Sequence, residues 1–300
     1  MILFAFLAQT LRIAIPYLFA ACGGVVSERS GLIALGLEGY MLGGAFCGAV
    51  ASYYSGSPWI GLLGAVAGGA AIASLYAVTA IRFRADQVVV GIAINLLVTG
   101  ATRFFLRLFF HSSANSPRIQ GFGGEQVGTG FVALVGNPLI WLGLLAVAVV
   151  AWLLYRTPFG LRTRAAGEHP TAAVSVGIKV NQVRYLAAAL SGGLAALGGA
   201  YLALDQHQFS AEMTAGRGFI ALAATIFGRW DPFRAALACL LFAAAETSQI
   251  YLQSTQMHFL GLSAIPSQFV EMIPFVLTIV ALAGVVGRAV PPAALGKASE

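Results

Sequence analysis

The sequence predicts an all-α, polytopic membrane protein with about 8–10 transmembrane helices, and three features of its composition support this fold class. Only 9% of the residues are charged, whereas about 25% are charged in a typical soluble domain. Hydrophobic residues make up 59% of the chain, and the mean hydropathy is +0.84. The 36 glycines suit transmembrane helices, in which small residues let backbones approach closely. This composition excludes a soluble globular domain, a disordered chain and a free-standing nucleic-acid-binding protein.

Runs of about 20 apolar residues, the length that crosses a bilayer as a helix, mark the predicted spans. The eight strong runs cover residues 2–26, 31–54, 58–81, 86–110, 137–155, 183–204, 233–252 and 268–287, and a shorter ninth run covers 216–229. The first run follows Met1 without a basic segment or a cleavage site, which favours a retained span over a removed signal peptide. Because only the connectors 111–136 and 156–182 are long, we predict a single transmembrane domain over residues 1–300.

Basic residues predict the orientation, because cytoplasmic loops of membrane proteins carry an excess of Lys and Arg. With the amino terminus outside, 12 of the 17 basic residues lie on the cytoplasmic side. These residues are Arg29, Arg82, Arg84, Arg156, Arg162, Arg164, Lys179, Arg184, Arg229, Arg234, Arg288 and Lys297. Residues 156–182, which we name the coupling segment, are then cytoplasmic, and the 111–136 loop is extracytoplasmic.

Two blocks of the chain have similar patterns and enter the membrane from opposite sides. The first begins outside with span 2–26, and the second begins inside near Val183; each has a small-residue helix followed by a Gly-rich polar break. This pattern predicts an inverted repeat, in which a substrate route lies between the halves near the midplane of the bilayer. Richness in Gly and Ala without a repeat is the alternative explanation.

The coupling segment contains the signals for a short helix. Pro170 suits the first turn, and Gly177 suits the exit. Ala172 and Ala173 lie between them, so the helix has a small-residue face that can fit closely into a groove on another protein. The surrounding positive charge would orient that contact. The alternative is that the arginines of this segment only fix the topology.

Polar side chains within spans are costly, so each is a candidate for function. Glu38, in the Gly-Leu-Glu-Gly run 36–39, is expected to face a partner, a cavity or the N-terminus of a broken helix. It either stabilises that break or lines the route. Asn95 hydrogen-bonds either a neighbouring helix, which is commoner, or a solute hydroxyl. Glu246 and Glu271 lie near span ends, where water or an interfacial Arg can satisfy them.

Arg103 and Arg107 lie four residues apart on one face of span 86–110, among phenylalanines near its outer end. Snorkelling to the membrane interface explains both side chains, and contact with an acidic surface of a docked protein is the alternative. The cysteines and histidines are scattered, and none are spaced like metal ligands. We therefore expect no metal site.

Three segments in a fixed order carry a family resemblance: SERSGLIALGLEGYM (27–41), LSGGLAALGGAYLAL (190–204) and GRGFIALAATIFGRWDP (216–232). In addition, Glu168, the Ala172-Ala173 pair and Gly177 resemble the coupling-helix signature of permease subunits of ABC importers. Together these features resemble the permeases of the branched-chain amino acid and simple-sugar superfamily, and within it most resemble the nucleoside-type subunits.

The resemblance implies a permease in the bacterial cytoplasmic (inner) membrane that pairs with a second permease, identical or related, and works with a cytoplasmic ATPase and an extracytoplasmic solute-binding protein. The residues implied in coupling to the ATPase are Arg164, Glu168, Pro170, Ala172, Ala173 and Gly177. The candidate route residues are Glu38, Asn95 and Phe219. The sequence has no G-x-x-x-x-G-K-[ST] motif, so ATP would be bound by the partner, and we expect neither a cofactor nor enzymatic activity in this chain.

The chain departs from the family at three positions where Asn is common, namely Ala34, Asp86 and Asp231. An amide at position 34 could contact solute, so its loss bears on substrate identity. The resemblance implies a nucleoside or a related ribose-bearing solute, with a simple sugar or a branched-chain amino acid as alternatives.

Two other classes of transport protein remain alternatives. A proton-coupled secondary transporter would titrate Glu38, Glu246 and Glu271, but it would need no cytoplasmic docking helix. A passive channel would need a pore-lining polar stripe instead of the isolated polar residues found in these spans.

Overall fold

The computed structural model describes residues 2–112, 114–122, 136–254 and 290–297. The elements within these ranges are helices, apart from an isolated β-bridge between Asn115 and Ser210. In chain order they are α1 (Ile2–Arg29), α2 (Leu37–Ser55), α3 (Pro58–Ala77, continued by a π-helical turn Val78–Arg82), α4 (Gln87–Phe110), α5 (Pro138–Arg156), α6 (Pro158–Glu168), α7 (Pro170–Ser175), α8 (Val180–Asp205), α9 (Arg217–Phe227) and α10 (Pro232–Ser254). The predicted all-α, polytopic fold class is confirmed.

Six helices in the described ranges are long and apolar enough to cross a membrane, namely α1, α3 with its π-helical turn, α4, α5, α8 and α10. Two predicted spans differ from the prediction. The run 31–54 becomes helical only at Leu37, and the run 216–229 forms the 11-residue helix α9, which is too short to cross a bilayer. The predicted span 268–287 lies outside the described residues.

Helix α8 packs against α1, α2 and α3, and glycines bring these backbones together. A Cβ on Gly199 of α8 would lie 1.9 Å from the carbonyl oxygen of Met41 in α2. A Cβ on Gly69 of α3 would lie 2.4 Å from the carbonyl oxygen of Gly192 in α8. Such distances leave no room for a methyl group. In a bilayer, where apolar side chains gain little by leaving lipid, this close packing is a main source of helix association.

Helices α1 and α8 run antiparallel, as the two predicted blocks require. Arg12, early in α1, pairs with Asp205 at the end of α8, and Arg184 near the start of α8 donates to the Ser30 carbonyl just after α1. Further contacts are reciprocal, because α1 packs on α9 and α10 while α8 packs on α2 and α3. This is the pattern expected of an inverted repeat.

Segments predicted on the same side of the membrane meet in the structure. At the end predicted to be cytoplasmic, the Ala294 amide donates to the Gly167 carbonyl, and the Gly296 amide donates to the Gly31 carbonyl. At the opposite end, the hydroxyl of Ser52 donates to the Gln120 carbonyl. Residues 114–122 of the predicted outer loop therefore lie at the end of the bundle opposite to the coupling segment, and residues 123–135 are not among the described residues.

The close approach at Gly199 predicts that the Gly199→Ala variant loses about 1–3 kcal/mol of unfolding free energy, since the methyl group would displace the α2 backbone. Gly100→Ala in α4 is the matched control, because nothing lies within 4 Å of its added Cβ. The control should be neutral or more stable by about 0.5–1 kcal/mol. Thermal unfolding of both variants in mild detergent tests this, and equal stabilities would contradict the packing described.

Candidate functional site

The chain leaves helical geometry between α1 and α2, within the predicted second span. Ser30, Leu32 and Ala34 are buried here, so the freed N–H and C=O groups need partners from the protein. The Ile33 amide donates to Oε1 of Gln87 at 2.8 Å, and the Tyr76 hydroxyl donates to the Ile33 carbonyl at 2.7 Å. Side chains of α3 and α4 thus replace the hydrogen bonds that a continuous helix would provide. We name residues 30–36 the first break.

Asn95 of α4 holds the other end of the first break. Its Oδ1 accepts from the Gly39 amide at 2.8 Å, and its Nδ2 donates to the Leu35 carbonyl at 2.9 Å. The side chain is 9% exposed. Of the two sequence interpretations of Asn95, these contacts match the hydrogen bond to a neighbouring segment. A contact with solute stays a prediction.

Glu38, in the first turn of α2, joins the first break to the start of α9. Its Oε1 accepts from the Thr214 hydroxyl at 2.6 Å and from the Gly216 amide at 2.9 Å, and its Oε2 accepts from the Gly218 amide at 2.7 Å. A helix N-terminus presents free N–H groups and a positive dipole end, so it favours a carboxylate. The contact with a broken-helix N-terminus was one of the environments predicted for Glu38.

Two glycines make this contact sterically feasible. Gly216 has φ +83°, a left-handed conformation that side chains disfavour, and it precedes α9 directly. A Cβ on Gly218 would lie 2.5 Å from the Cα of Glu38. We name residues 206–216 the second break, and the starts of α2 and α9 meet at Glu38.

Two further carboxylates within the helical bundle are also paired. Glu246 in α10 accepts from the Tyr17 hydroxyl and forms an ion pair with Arg217 at 3.1 Å. Glu28 in α1 accepts from the Ala34 amide at 3.2 Å and from the indole N–H of Trp230. Glu271 lies outside the described residues. Among the described residues, Glu28, Glu38 and Glu246 all accept hydrogen bonds from other parts of the protein.

Phe219 differs from the other two candidate route residues, because its side chain is 47% exposed. It follows Gly218 in the first turn of α9, directly beside the second break. The structure therefore brings Glu38 close to the start of the helix that carries Phe219, and Asn95 binds the amide of Gly39, the residue after Glu38.

The coupling segment forms α6 and α7, of which α7 is the short helix that its Pro and Gly signals predict. Pro170 begins α7, and Gly177 follows it with φ +84°. Ala173 is buried against Ala166 of α6 and Val180 of α8, whereas Ala172 faces outward. Only one of the two predicted alanines is therefore on the exposed face.

The remaining coupling residues lie where α6 meets the bundle. Glu168 lies 4.0 Å from Arg29, and it accepts from the Ala293 amide at 3.3 Å. The guanidinium of Arg164 lies over the ring of Tyr155 at 5.3 Å, a distance at which cation–π attraction is effective. These contacts anchor α6 to the ends of α1 and α5.

The departures from the family pattern have clear local consequences. Ala34 is 2% exposed, so its side chain faces the protein interior. Asp86 caps α4 by accepting from the Val88 amide at 2.9 Å, and Asp231 caps α10 by accepting from the Arg234 amide at 3.0 Å. Asn serves equally well as an N-cap, so both substitutions retain the capping role.

Several residues that hold the breaks or the turn after α9 were not predicted from the sequence: Glu28, Tyr76, Gln87, Thr214 and Trp230. Glu28 carried a signal, since an acidic residue lay at the end of a predicted span. Tyr76, Thr214 and Trp230 carried none, because their partners are remote in sequence.

The structure is a bundle of apolar helices long enough to cross a membrane, and one carboxylate joins its two helix breaks. The short helix α7 lies in the basic coupling segment. This arrangement is typical of a membrane transport component. The sequence matches the model of the family described as branched-chain amino acid transport system / permease component over residues 6–282. The chain belongs to this family.

The chain is 38% identical to the guanosine ABC transporter permease protein NupQ of Bacillus subtilis, over 96% of this chain and 93% of NupQ. It is 38% identical to the nucleoside ABC transporter permease protein NupC of Lactococcus lactis, over 96% and 94% of the two chains. A putative glucose ABC transporter permease protein, TsgC13 of Haloferax volcanii, is 34% identical over 83% and 78%. The chain is thus a multi-pass permease subunit of an ABC transporter in the bacterial cytoplasmic membrane, and permeases of this family are transport components, not enzymes.

The two hydrogen bonds of Asn95 predict that Asn95→Leu loses about 1–3 kcal/mol of unfolding free energy, because a buried amide and a buried carbonyl lose their partner. Asn181→Leu is the control, because Asn181 is exposed near the start of α8. Unfolding in mixed micelles measures both variants. A change in solute uptake with unaltered stability would instead assign Asn95 to the route alone.

Proposed function

We propose that this protein is the permease subunit of an ATP-binding-cassette importer that takes up nucleosides or related ribose-bearing solutes. The observation that carries the substrate class is its near full-length similarity to two permeases named for guanosine and nucleoside transport.

A simple sugar is the second candidate, because a putative glucose permease is also similar over most of its length. A branched-chain amino acid is the third, and it is favoured only by the description of the family. Proton-coupled transport is disfavoured by the similarity to ABC transporter permeases, and ATP would supply the energy through a partner ATPase.

The partner ATPase would bind at α7. Its outward residues Thr171, Ala172 and Val174 are exposed, and Val174 is 59% exposed. Beside them is an open groove of about 780 Å³, lined in part by Lys179 and Lys297, which are the only lysines in the sequence. Apolar contacts flanked by positive charge suit a partner groove with an acidic rim. Buried Ala173 would support α7 from behind.

The outer end would receive the solute-binding protein, and a second permease would complete the route. Arg103 forms an ion pair with Glu212, and both side chains are largely exposed. A groove of about 650 Å³ lies beside this pair and is also lined by Arg107. Arg107 thus remains the candidate for contact with an acidic surface of the binding protein.

The site proposed for the ATPase predicts that Ala172→Glu prevents stable binding of the ATPase, since a carboxylate would meet the acidic rim. Co-purification of the ATPase with the tagged permease measures this, together with ATP-dependent uptake. Ala114→Glu at the opposite end is the control for co-purification of the ATPase, because Ala114 is also exposed and lies far from α7. Uptake is not compared in this control, because Ala114 lines the groove proposed for the binding protein. Retention of the ATPase by Ala172→Glu at the wild-type level would contradict the proposed docking site.

The substrate class predicts that vesicles containing the complete transporter accumulate guanosine when ATP is inside. Unlabelled nucleosides should compete with this uptake, whereas ribose, glucose and leucine should not. A protonophore should leave uptake unchanged while ATP is constant. Competition by ribose alone would favour a sugar permease, and loss of uptake with the protonophore would favour proton coupling.

A further inference from the structure

Trp230 lies in the turn between α9 and α10, and its side chain is 4% exposed. Its indole N–H donates to Oε2 of Glu28, which is 3% exposed near the end of α1. Its carbonyl accepts from Nε of Arg29 at 2.9 Å. Two adjacent residues of α1 thus hold this turn. A buried carboxylate is costly unless it is hydrogen-bonded, so the Glu28–Trp230 contact is a strong constraint on both groups.

The same end of α1 touches the coupling segment. A Cβ on Gly167 of α6 would lie 2.2 Å from the carbonyl oxygen of Arg29, so the two backbones are in direct contact. Arg29 also lies 4.0 Å from Glu168, at the end of α6 and just before α7. A continuous line of contacts thus runs from α7 through α6 to the end of α1.

Glu28 also contacts the first break, because its Oε1 accepts from the Ala34 amide at 3.2 Å. The 11-residue helix α9 is consequently held at both ends. Glu38 binds its start, and Glu28 binds Trp230 just beyond its end. Because Glu28 and Glu38 lie on either side of the first break, the same two carboxylates connect this break to both ends of α9.

The turn that receives these contacts is strained. Arg229 has φ +51° and Trp230 has φ +56°, and left-handed conformations are uncommon for residues with side chains. Strain of this kind persists only where surrounding contacts enforce it, and it occurs in segments that change shape. The Glu28 and Arg29 contacts are the enforcing interactions here.

We propose that Glu28 and Trp230 are positioning residues that transmit movement of the coupling segment to α9 and the first break, and so link ATP hydrolysis to opening of the route. This inference rests on the proposed function, because it requires a partner ATPase at α7. The proposed path consists of direct contacts, and it runs from Gly167 and Arg29 through Glu28 to Ala34 and Trp230.

The test uses the complete transporter, with ATPase and binding protein, in vesicles. Trp230→Phe keeps the ring but removes the N–H that Glu28 accepts. The guanosine taken up per ATP hydrolysed should fall about tenfold, which corresponds to about 1.4 kcal/mol, while ATP hydrolysis continues. Trp152→Phe is the matched control, because Trp152 is 60% exposed on α5, and it should leave the ratio unchanged.

Amide hydrogen exchange of the peptide covering residues 32–37 provides a readout that is independent of solute. ATP with vanadate should change the exchange rate in the wild-type complex, and Trp230→Phe should abolish that change. Arg29→Lys keeps the charge but loses the Nε–H contact with the Trp230 carbonyl. This variant should reduce the nucleotide-dependent change in exchange, and it replaces Trp230→Phe as the test if Trp230→Phe does not fold.

Two results would overturn the linkage. The first is an unchanged ratio of guanosine uptake to ATP hydrolysis, whether the two rates stay constant or fall together, and the second is a nucleotide effect on residues 32–37 that survives the substitutions. The proposed substrate can fail separately. If the wild-type complex takes up no nucleoside but nucleotide alters exchange at 32–37 in a manner that requires Trp230, the linkage holds and the substrate assignment does not.

Discussion

The carboxylate of Glu38 joins the end of the first break to the end of the second, because it lies in the first turn of α2 and binds the start of α9. A helix that begins within a membrane exposes about four unpaired N–H groups, and no water is at hand to satisfy them. Glu38 accepts two such groups from the start of α9 while it belongs to the first turn of α2. One side chain thus compensates the start of one broken helix and fixes its position against the other.

The rest of the bundle follows from the cost of non-helical backbone in lipid. The first break persists because Gln87, Tyr76 and Asn95 supply acceptors and donors for it. The tight glycine contacts between α8 and its neighbours give a rigid frame around these breaks. A transporter needs elements that move without exposing backbone groups to lipid, and breaks satisfied by side chains can shift as a unit while keeping their hydrogen bonds.

Hydropathy predicted six of the spans well. The length and apolar composition of a segment are local properties of the sequence, and they largely determine whether that segment can cross a bilayer. One of the environments predicted for Glu38, the N-terminus of a broken helix, is found in the structure, since a carboxylate among glycines within a span favours such a site. Its partner was not predicted, because Thr214 and Gly218 are remote in sequence. Similarly, the Pro170 and Gly177 signals predicted α7, but they did not reveal that Ala173 packs inward and Ala172 outward, which depends on how α6 and α8 contact it.

The central claim, that Glu38 holds the two breaks together, is tested most directly by a double-mutant cycle of Glu38→Gln and Thr214→Val, with unfolding measured in mixed micelles. If the carboxylate binds the start of α9 as described, the unfolding free energies of the two variants should be non-additive by about 1 kcal/mol or more. Additivity within about 0.3–0.5 kcal/mol would show that the two residues do not interact and would contradict this account.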